Sequence, residues 1–219
     1  MLKLYHLPIS FNSRRVWVAL LEKGLEFELI PLKLDGDQFT PEFLALNPFH
    51  HIPVLVDGEF SVFESLAILD YLEAKYPNPS FLPSDPQGLA RVRMIEFVTV
   101  NELIPAMTPL LRNMLGIMEI TPEKQEEALG KIKPVLDLFE DWLGDRVYLV
   151  GDTLSLADIV AGTIVPMLPM FGVKLTGYTG LTAWVKRLMS RDSWSSTQAT
   201  PQQIDTFKQT MQKMMSQRG

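Results

Sequence analysis

Residues 3–6 place Leu4 and Tyr5 between polar neighbours, which predicts a short strand. The period then lengthens. Residues 16–23 are apolar at helical spacing, and Gly24 stands where a helix stops. Residues 27–32 predict a second strand, and Asp35-Gly36-Asp37 a turn. Residues 41–46 predict a short helix. Asn47-Pro48 ends it, because a residue before proline is pushed out of the helical region. Residues 52–56 and 60–63 flank Asp57-Gly58-Glu59, the pattern of a hairpin. Residues 64–76 predict an amphipathic helix with Leu66, Leu69, Tyr71 and Leu72 among its apolar positions. The predicted order is β-α-β-α-β-β-α.

The pattern changes at Tyr76-Pro77-Asn78-Pro79-Ser80 and Pro83-Ser84-Asp85-Pro86, a proline-rich connection of the kind that separates domains. Beyond it no strand pair is predicted. Helices are expected over residues 87–116, 122–144, 156–171, 181–190 and 204–217, and no internal repeat is visible. The expected fold class is α/β plus all-α: a mixed domain over residues 1–76, a linker over 77–86, and an all-helical domain over 87–219.

Composition narrows the chemistry. The chain has 219 residues, a formal net charge of −6 and no cysteine. The acidic balance argues against a nucleic-acid partner held by bulk charge. The missing cysteine removes disulfide scaffolds, cysteine zinc sites, iron–sulfur clusters and protein-thiol nucleophiles. The start, Met-Leu-Lys-Leu-Tyr-His, lacks the pattern of a secretory signal. The longest uncharged apolar stretch, residues 159–173, contains Pro166 and Pro169 and falls short of the ~18 residues of a membrane span. A soluble, cytoplasmic protein with no membrane partner is expected.

Three local features carry candidate chemistry. The first is Pro8-Ile9-Ser10-Phe11-Asn12-Ser13-Arg14-Arg15-Val16, between the first strand and the first helix. Hydroxyls and free N–H groups at a helix N-terminus suit an anion, and equally suit a plain helix cap by Ser13 or Asn12. The second is Ile52-Pro53-Val54 at a strand start, where proline is tolerated; a cis bond there would leave the Ile52 backbone open to an extended peptide. The third is Phe63-Glu64-Ser65 at a helix head. Ser65 suits a carboxylate and Glu64 an amino group, or the pair caps the helix.

The order and spacing of these three features resemble the thioredoxin-like half of the soluble glutathione transferases. Residues 47–58, Asn-Pro-Phe-His-His-Ile-Pro-Val-Leu-Val-Asp-Gly, are similar to the family's Asn-Pro…Pro-x-Leu-x-Asp segment. Residues 63–72, Phe-Glu-Ser-Leu-Ala-Ile-Leu-Asp-Tyr-Leu, are similar to its Glu-Ser-x-Ala-Ile segment. In the second domain, Leu154-Ser155-Leu156-Ala157-Asp158-Ile159 resembles the family's helix-six signature, with Ser155 and Asp158 spaced as a capping box.

The resemblance implies a thioredoxin-like βαβαββα domain, a helical domain, and an enzyme that conjugates glutathione to small hydrophobic electrophiles in detoxification. Alternatives are another glutathione-dependent reaction (peroxidase, isomerase or dehalogenase) or a non-catalytic binding module. Glutathione is then the co-substrate, with no permanently bound cofactor and no metal, and the chain a homodimer. By resemblance to serine-type classes, phi and delta-like among them, Ser10 is the thiolate-activating hydroxyl. Asn12, Ser13 and Arg14 are rivals in the same loop, and Tyr5 sits near the activating tyrosine of other classes. Ile52 and Pro53 are expected at the cysteinyl unit, Glu64 and Ser65 at the γ-glutamyl end, and His50 and His51 near the glycyl carboxylate. Phe11, Met107, Leu111, Met114 and Phe171 are expected to line the electrophile pocket. A methionine stripe of that spacing reads equally as core.

Overall fold

The computed structural model describes residues 1–33 and 35–216. The chain divides into two compact units. Unit 1 is Met1–Ser80 together with Asp192–Ile204; unit 2 is Phe81–Arg191 together with the chain from Asp205.

Unit 1 runs β1 (Leu2–His6), α1 (Phe11–Glu22), β2 (Phe27–Pro31), α2 (Pro41–Leu46), β3 (Val54–Asp57), β4 (Phe60–Phe63) and α3 (Ser65–Lys75). The sheet order is β2-β1-β3-β4. β1 pairs parallel to β2, and β3 pairs antiparallel to β1 and to β4. Strand period places residues on alternate faces. Leu4 and Leu55 are register partners with no exposed surface, as are Val16, Ala19 and Leu20 of α1 and Ile68, Leu69 and Leu72 of α3. Tyr5 and Val54, the next register pair, join Leu32, Phe43 and Phe63 in a second apolar cluster. The sheet is therefore covered on both faces, and the ends of its helices rather than its faces are left for chemistry.

The short helix and the second hairpin strand match the predicted residues at both ends. α1 begins at Phe11 rather than at residue 16. Asn12 to Arg15 look polar in sequence, yet Ser13, Arg14 and Arg15 are buried through specific hydrogen bonds.

Unit 2 contains α4 (Pro86–Val98), α5 (Ile104–Met114), α6 (Pro122–Leu143), α7 (Leu156–Gly162) and α8 (Thr179–Met189). A short α9 (Asp192–Ser195), which sequence did not predict, belongs to unit 1. α10 (Pro201–Ser216) begins in unit 1 and continues into unit 2. Gln217, the expected end of the last helix, lies outside the described residues.

Two long predicted helices are divided, each by proline. Over residues 87–116 a π turn, Thr99–Leu103, separates α4 from α5, and the Ile104 N–H donates to Thr99 O. Pro105 has no N–H for the carbonyl of residue 101, so the ladder shifts there by one residue. Over residues 156–171, α7 gives way to a 3₁₀ helix, Val165–Phe171, which contains Pro166 and Pro169.

The run Pro86–Met114 is long and apolar enough to cross a membrane by length and composition. In unit 2 one side of this run is packed inward, with Val92, Ile95, Leu103, Met107 and Leu110 buried, while Met94 and Phe97 are exposed. The expected boundaries also shift. The mixed unit extends to Ser80, and Asp192–Ile204, assigned by sequence to the helical domain, completes it.

Candidate functional site

Seven of the predicted residues meet at one cavity of about 360 Å³ in unit 1. Asn12, His50, His51, Ile52, Pro53, Glu64 and Ser65 line it together with Asn47. They come from three places: the first turn of α1, the loop entering β3, and the head of α3. The Ile52–Pro53 peptide is cis, and the strand ladder starts only at Val54, so Ile52 stands outside it.

Asn47 was read from sequence as a helix breaker and as the first residue of the family-like segment, with no role at the cavity. It is buried, its Nδ2 donates to His51 O at 2.9 Å, and its Oδ1 accepts the Phe49 N–H at 3.0 Å. The Asn-Pro dipeptide was the available signal, since an Asn side chain organises the backbone two residues on. The loop it holds carries exposed His50 and His51 with ring centroids 5.3 Å apart, and Phe39 lies 4.8 Å from His50.

Among the described residues, only two other than glycine have positive φ: His50 at 51° and Glu64 at 67°. Both line this cavity. Such conformations cost on the order of 1 kcal/mol or more and persist where surrounding structure enforces them. Glu64 occupies the N-cap position of α3 without making a side-chain cap bond, and its side chain is exposed. Ser65 is buried, and its Oγ accepts a hydrogen bond from Arg15 Nη1 at 3.3 Å.

The α1 loop resolves differently from the sequence reading. Ser10, not Ser13 or Asn12, is the N-cap, and its Oγ accepts the Ser13 N–H at 3.3 Å. That bond uses a lone pair and leaves the Ser10 O–H free to donate, so capping and anion binding are compatible. Ser10 is half-buried and lies two residues before Asn12, outside the lining of the cavity.

Ser13 is 1% exposed and its Oγ accepts the Leu7 N–H, so it is internal structure and not a rival hydroxyl at the cavity. Arg14 is likewise corrected. Its Nε donates to Thr197 Oγ1 at 3.2 Å and its Nη2 to Trp194 O at 3.0 Å. Burial lowers its pKa to about 10, which leaves it cationic at neutral pH. It fastens Asp192–Ile204 to α1 and does not face an anion near Ser10. Tyr5 packs against Phe43 at 5.8 Å between ring centroids, as a packed aromatic would.

The expected electrophile residues are less coherent. Met107 is fully buried in the helical unit, and Phe171 is buried as well, so both are core and not open wall. Leu111 and Met114 of α5, and Phe11 at the start of α1, are half-buried. The large open space within unit 2, about 960 Å³, lies along the π turn, α5 and α6. Val98, Pro105, Pro109, Met118 and Leu138 line it, and none of Phe11, Met107, Leu111, Met114 and Phe171 does. Turning the methionine stripe by one helical position separates these outcomes, and sequence spacing does not fix that rotation. Among the described residues no cluster of His, Asp or Glu has the form of a metal site.

Comparisons with known proteins find matches to both parts of the chain. Residues 4–80 match the family model described as glutathione S-transferase, N-terminal domain, and residues 103–192 the one described as glutathione S-transferase, C-terminal domain. The chain is 34% identical to a probable glutathione S-transferase of Oryza sativa subsp. japonica, over 88% of this chain and 93% of that one. It is 35% identical to a maleylacetoacetate isomerase of Mus musculus, over 85% of this chain and 87% of that one. A solved glutathione S-transferase-I bound with lactoylglutathione superposes with a TM-score of 0.79 at 32% identity, covering 90% of this chain and 97% of that one.

Proposed function

The chain belongs to the glutathione S-transferase family, and from that membership we propose that it is an enzyme that binds glutathione in the unit 1 cavity and attacks small hydrophobic electrophiles with its thiolate. The observation that carries this reading is the convergence of Asn12, His50, His51, Ile52, Pro53, Glu64 and Ser65 on one cavity. Glu64 takes the γ-glutamyl amino group and Ser65 the adjacent carboxylate. Ile52 presents its backbone to the cysteinyl unit, and the two histidines stand nearest the glycyl end.

A free thiol has a pKa near 8.5 and is mostly protonated at neutral pH. The Ser10 hydroxyl, with its hydrogen unused by the cap, donates to the sulfur and favours the anion, as does the N-terminus of α1. With an aryl halide, the thiolate forms a C–S bond, halide leaves with the C–X electron pair, and the thiol proton goes to solvent. No protein thiol takes part, in keeping with a chain that has no cysteine. Phe11, next to Ser10 at the start of α1, is the apolar side chain proposed to meet the electrophile.

Detoxification in the cytoplasm is the proposed setting, and a homodimer the proposed assembly. Exposed Phe49 and Phe60 on unit 1, and exposed Met94 and Phe97 on unit 2, support self-association.

A second reading is favoured by the likeness to an isomerase. There the thiolate adds to an unsaturated carbon, permits rotation, and leaves again, so that glutathione is regenerated.

The test is conjugation of a chromogenic aryl halide by wild type, Ser10→Ala and Ser10→Thr. Ser10→Ala is expected to lose on the order of 100-fold in kcat/KM, as when one preorganised donor is removed. Ser10→Thr keeps a hydroxyl and a cap and retains most activity. Full activity in Ser10→Ala moves the role to Asn12. Consumption of one glutathione per turnover separates conjugation from isomerisation.

A further inference from the structure

Arg15 lies in the first turn and a half of α1, one residue from the arginine that sequence singled out. It is 1% exposed. Its position is legible afterwards: Val18 and Ala19, three and four residues on, are fully buried, so Arg15 falls on the inward face. A guanidinium placed there stays charged and is costly unless its surroundings use it. Its Nη1 reaches 3.3 Å to Ser65 Oγ, a lining group of the cavity.

A serine hydroxyl has one hydrogen to give and lone pairs to receive. The Arg15 N–H occupies a lone pair of Ser65, and a hydrogen on that oxygen turns away from the cation. The Ser65 O–H is therefore left free to donate into the cavity. The guanidinium behind it polarises the hydroxyl, which strengthens the bond that this hydroxyl can donate to the proposed carboxylate. Glu64, next in the chain and exposed, supplies the opposite sign for the amino group. The two ends of an amino-acid head group thus meet an acceptor and a donor, and the donor is set from inside α1.

We propose that Arg15 is a positioning residue for glutathione. It sets the Ser65 hydroxyl as a donor, and so confers recognition of the α-carboxylate of the γ-glutamyl residue without touching it. This inference rests on the glutathione reading of the cavity.

The experiment compares two thiols: glutathione, and γ-aminobutyryl-cysteinyl-glycine, which lacks only that carboxylate. Wild type should show a KM for glutathione about tenfold below that for the analogue, the worth of one charge-assisted hydrogen bond. Arg15→Gln should raise the glutathione KM by about tenfold, with kcat at saturation within about twofold and the analogue's KM unchanged. Arg15→Lys, which keeps the charge, should recover part of the difference.

An equal rise for both thiols, or no rise for either, overturns the inference. If the Arg15 variants fail to fold, Ser65→Ala decides: it should abolish the difference between the thiols, and retention of the full difference overturns the inference. Failure of the underlying reading looks different. In that case wild type itself neither turns over glutathione nor gains thermal stability from it.

Discussion

At the N-terminus of α7, Asp158 is fully buried and accepts four hydrogen bonds, from Leu149 N, Ser155 N, Ser155 Oγ and Trp184 Nε1, at 2.6–2.9 Å. Ser155 completes a capping box with it. At the N-terminus of α3, Glu64 holds the cap position at φ 67°, makes no cap bond and points outward beside Ser65 at a cavity. Both helices begin with unpaired backbone donors. In α7 the chain satisfies them internally, and the result is stability. In α3 the cap residue makes no side-chain bond and is strained, which suits the ligand carboxylate proposed there. The same element of secondary structure serves folding in one unit and recognition in the other.

The largest effect that sharpens this contrast is at Asp158. Asp158→Ala leaves buried donors without an acceptor and should cost about 3–5 kcal/mol in urea unfolding, or roughly 10 °C in Tm. Its KM for glutathione should not move. A loss below about 1 kcal/mol would break the comparison by making the network dispensable.

His6 comes next, as a buried titratable group in unit 1 that lacks what Asp158 has. It is 3% exposed, packs edge-on against Trp17, and its Nδ1 has no hydrogen-bond partner. Burial lowers its pKa from 6.5 to about 4. Below pH 6.5 the unfolded chain takes up a proton that the folded chain refuses until about pH 4. Stability is thus fully present above pH 6.5 and falls by about 3 kcal/mol on the way to pH 4. His6→Phe should flatten that slope in urea titrations at stepped pH. An unchanged slope would reassign it to carboxylates.

The smallest effect is at Glu64. Glu64→Gly removes both the carboxylate and the objection to positive φ, so stability should rise by up to about 1 kcal/mol while the glutathione KM rises about tenfold. A loss of stability would show that the cap position is supported rather than strained.

Much of unit 1 was legible because its boundaries are punctuated. Asn47-Pro48 ends α2 and Asp57-Gly58 turns the hairpin, and both are local signals. The Ser155–Asp158 capping box was legible for the same reason, as a fixed three-residue spacing. The start of α1 was not, because burial of Arg14 and Arg15 depends on Trp194, Thr197 and Ser65, which lie far along the chain. The α3 site was legible through the resemblance and not through periodicity, since Glu-Ser at a helix head is common. The pocket residues failed at Met107, where spacing gives a stripe but not the side it faces.

The clamp from Arg14 to Trp194 and Thr197 has a consequence for how the protein is made. Unit 1 is encoded in two places, with residues 81–191, 111 in all, between them. At about 5–20 residues per second, on the order of ten seconds pass at the ribosome between the release of β1–α3 and the arrival of Trp194. For that interval Arg14 has neither Thr197 Oγ1 nor Trp194 O as an acceptor and is left to solvent. The nascent N-terminal half therefore completes its packing only after Trp194 and Thr197 have emerged, and a chain stopped at Arg191 is expected to have a less stable first unit although every residue of β1–α3 is present.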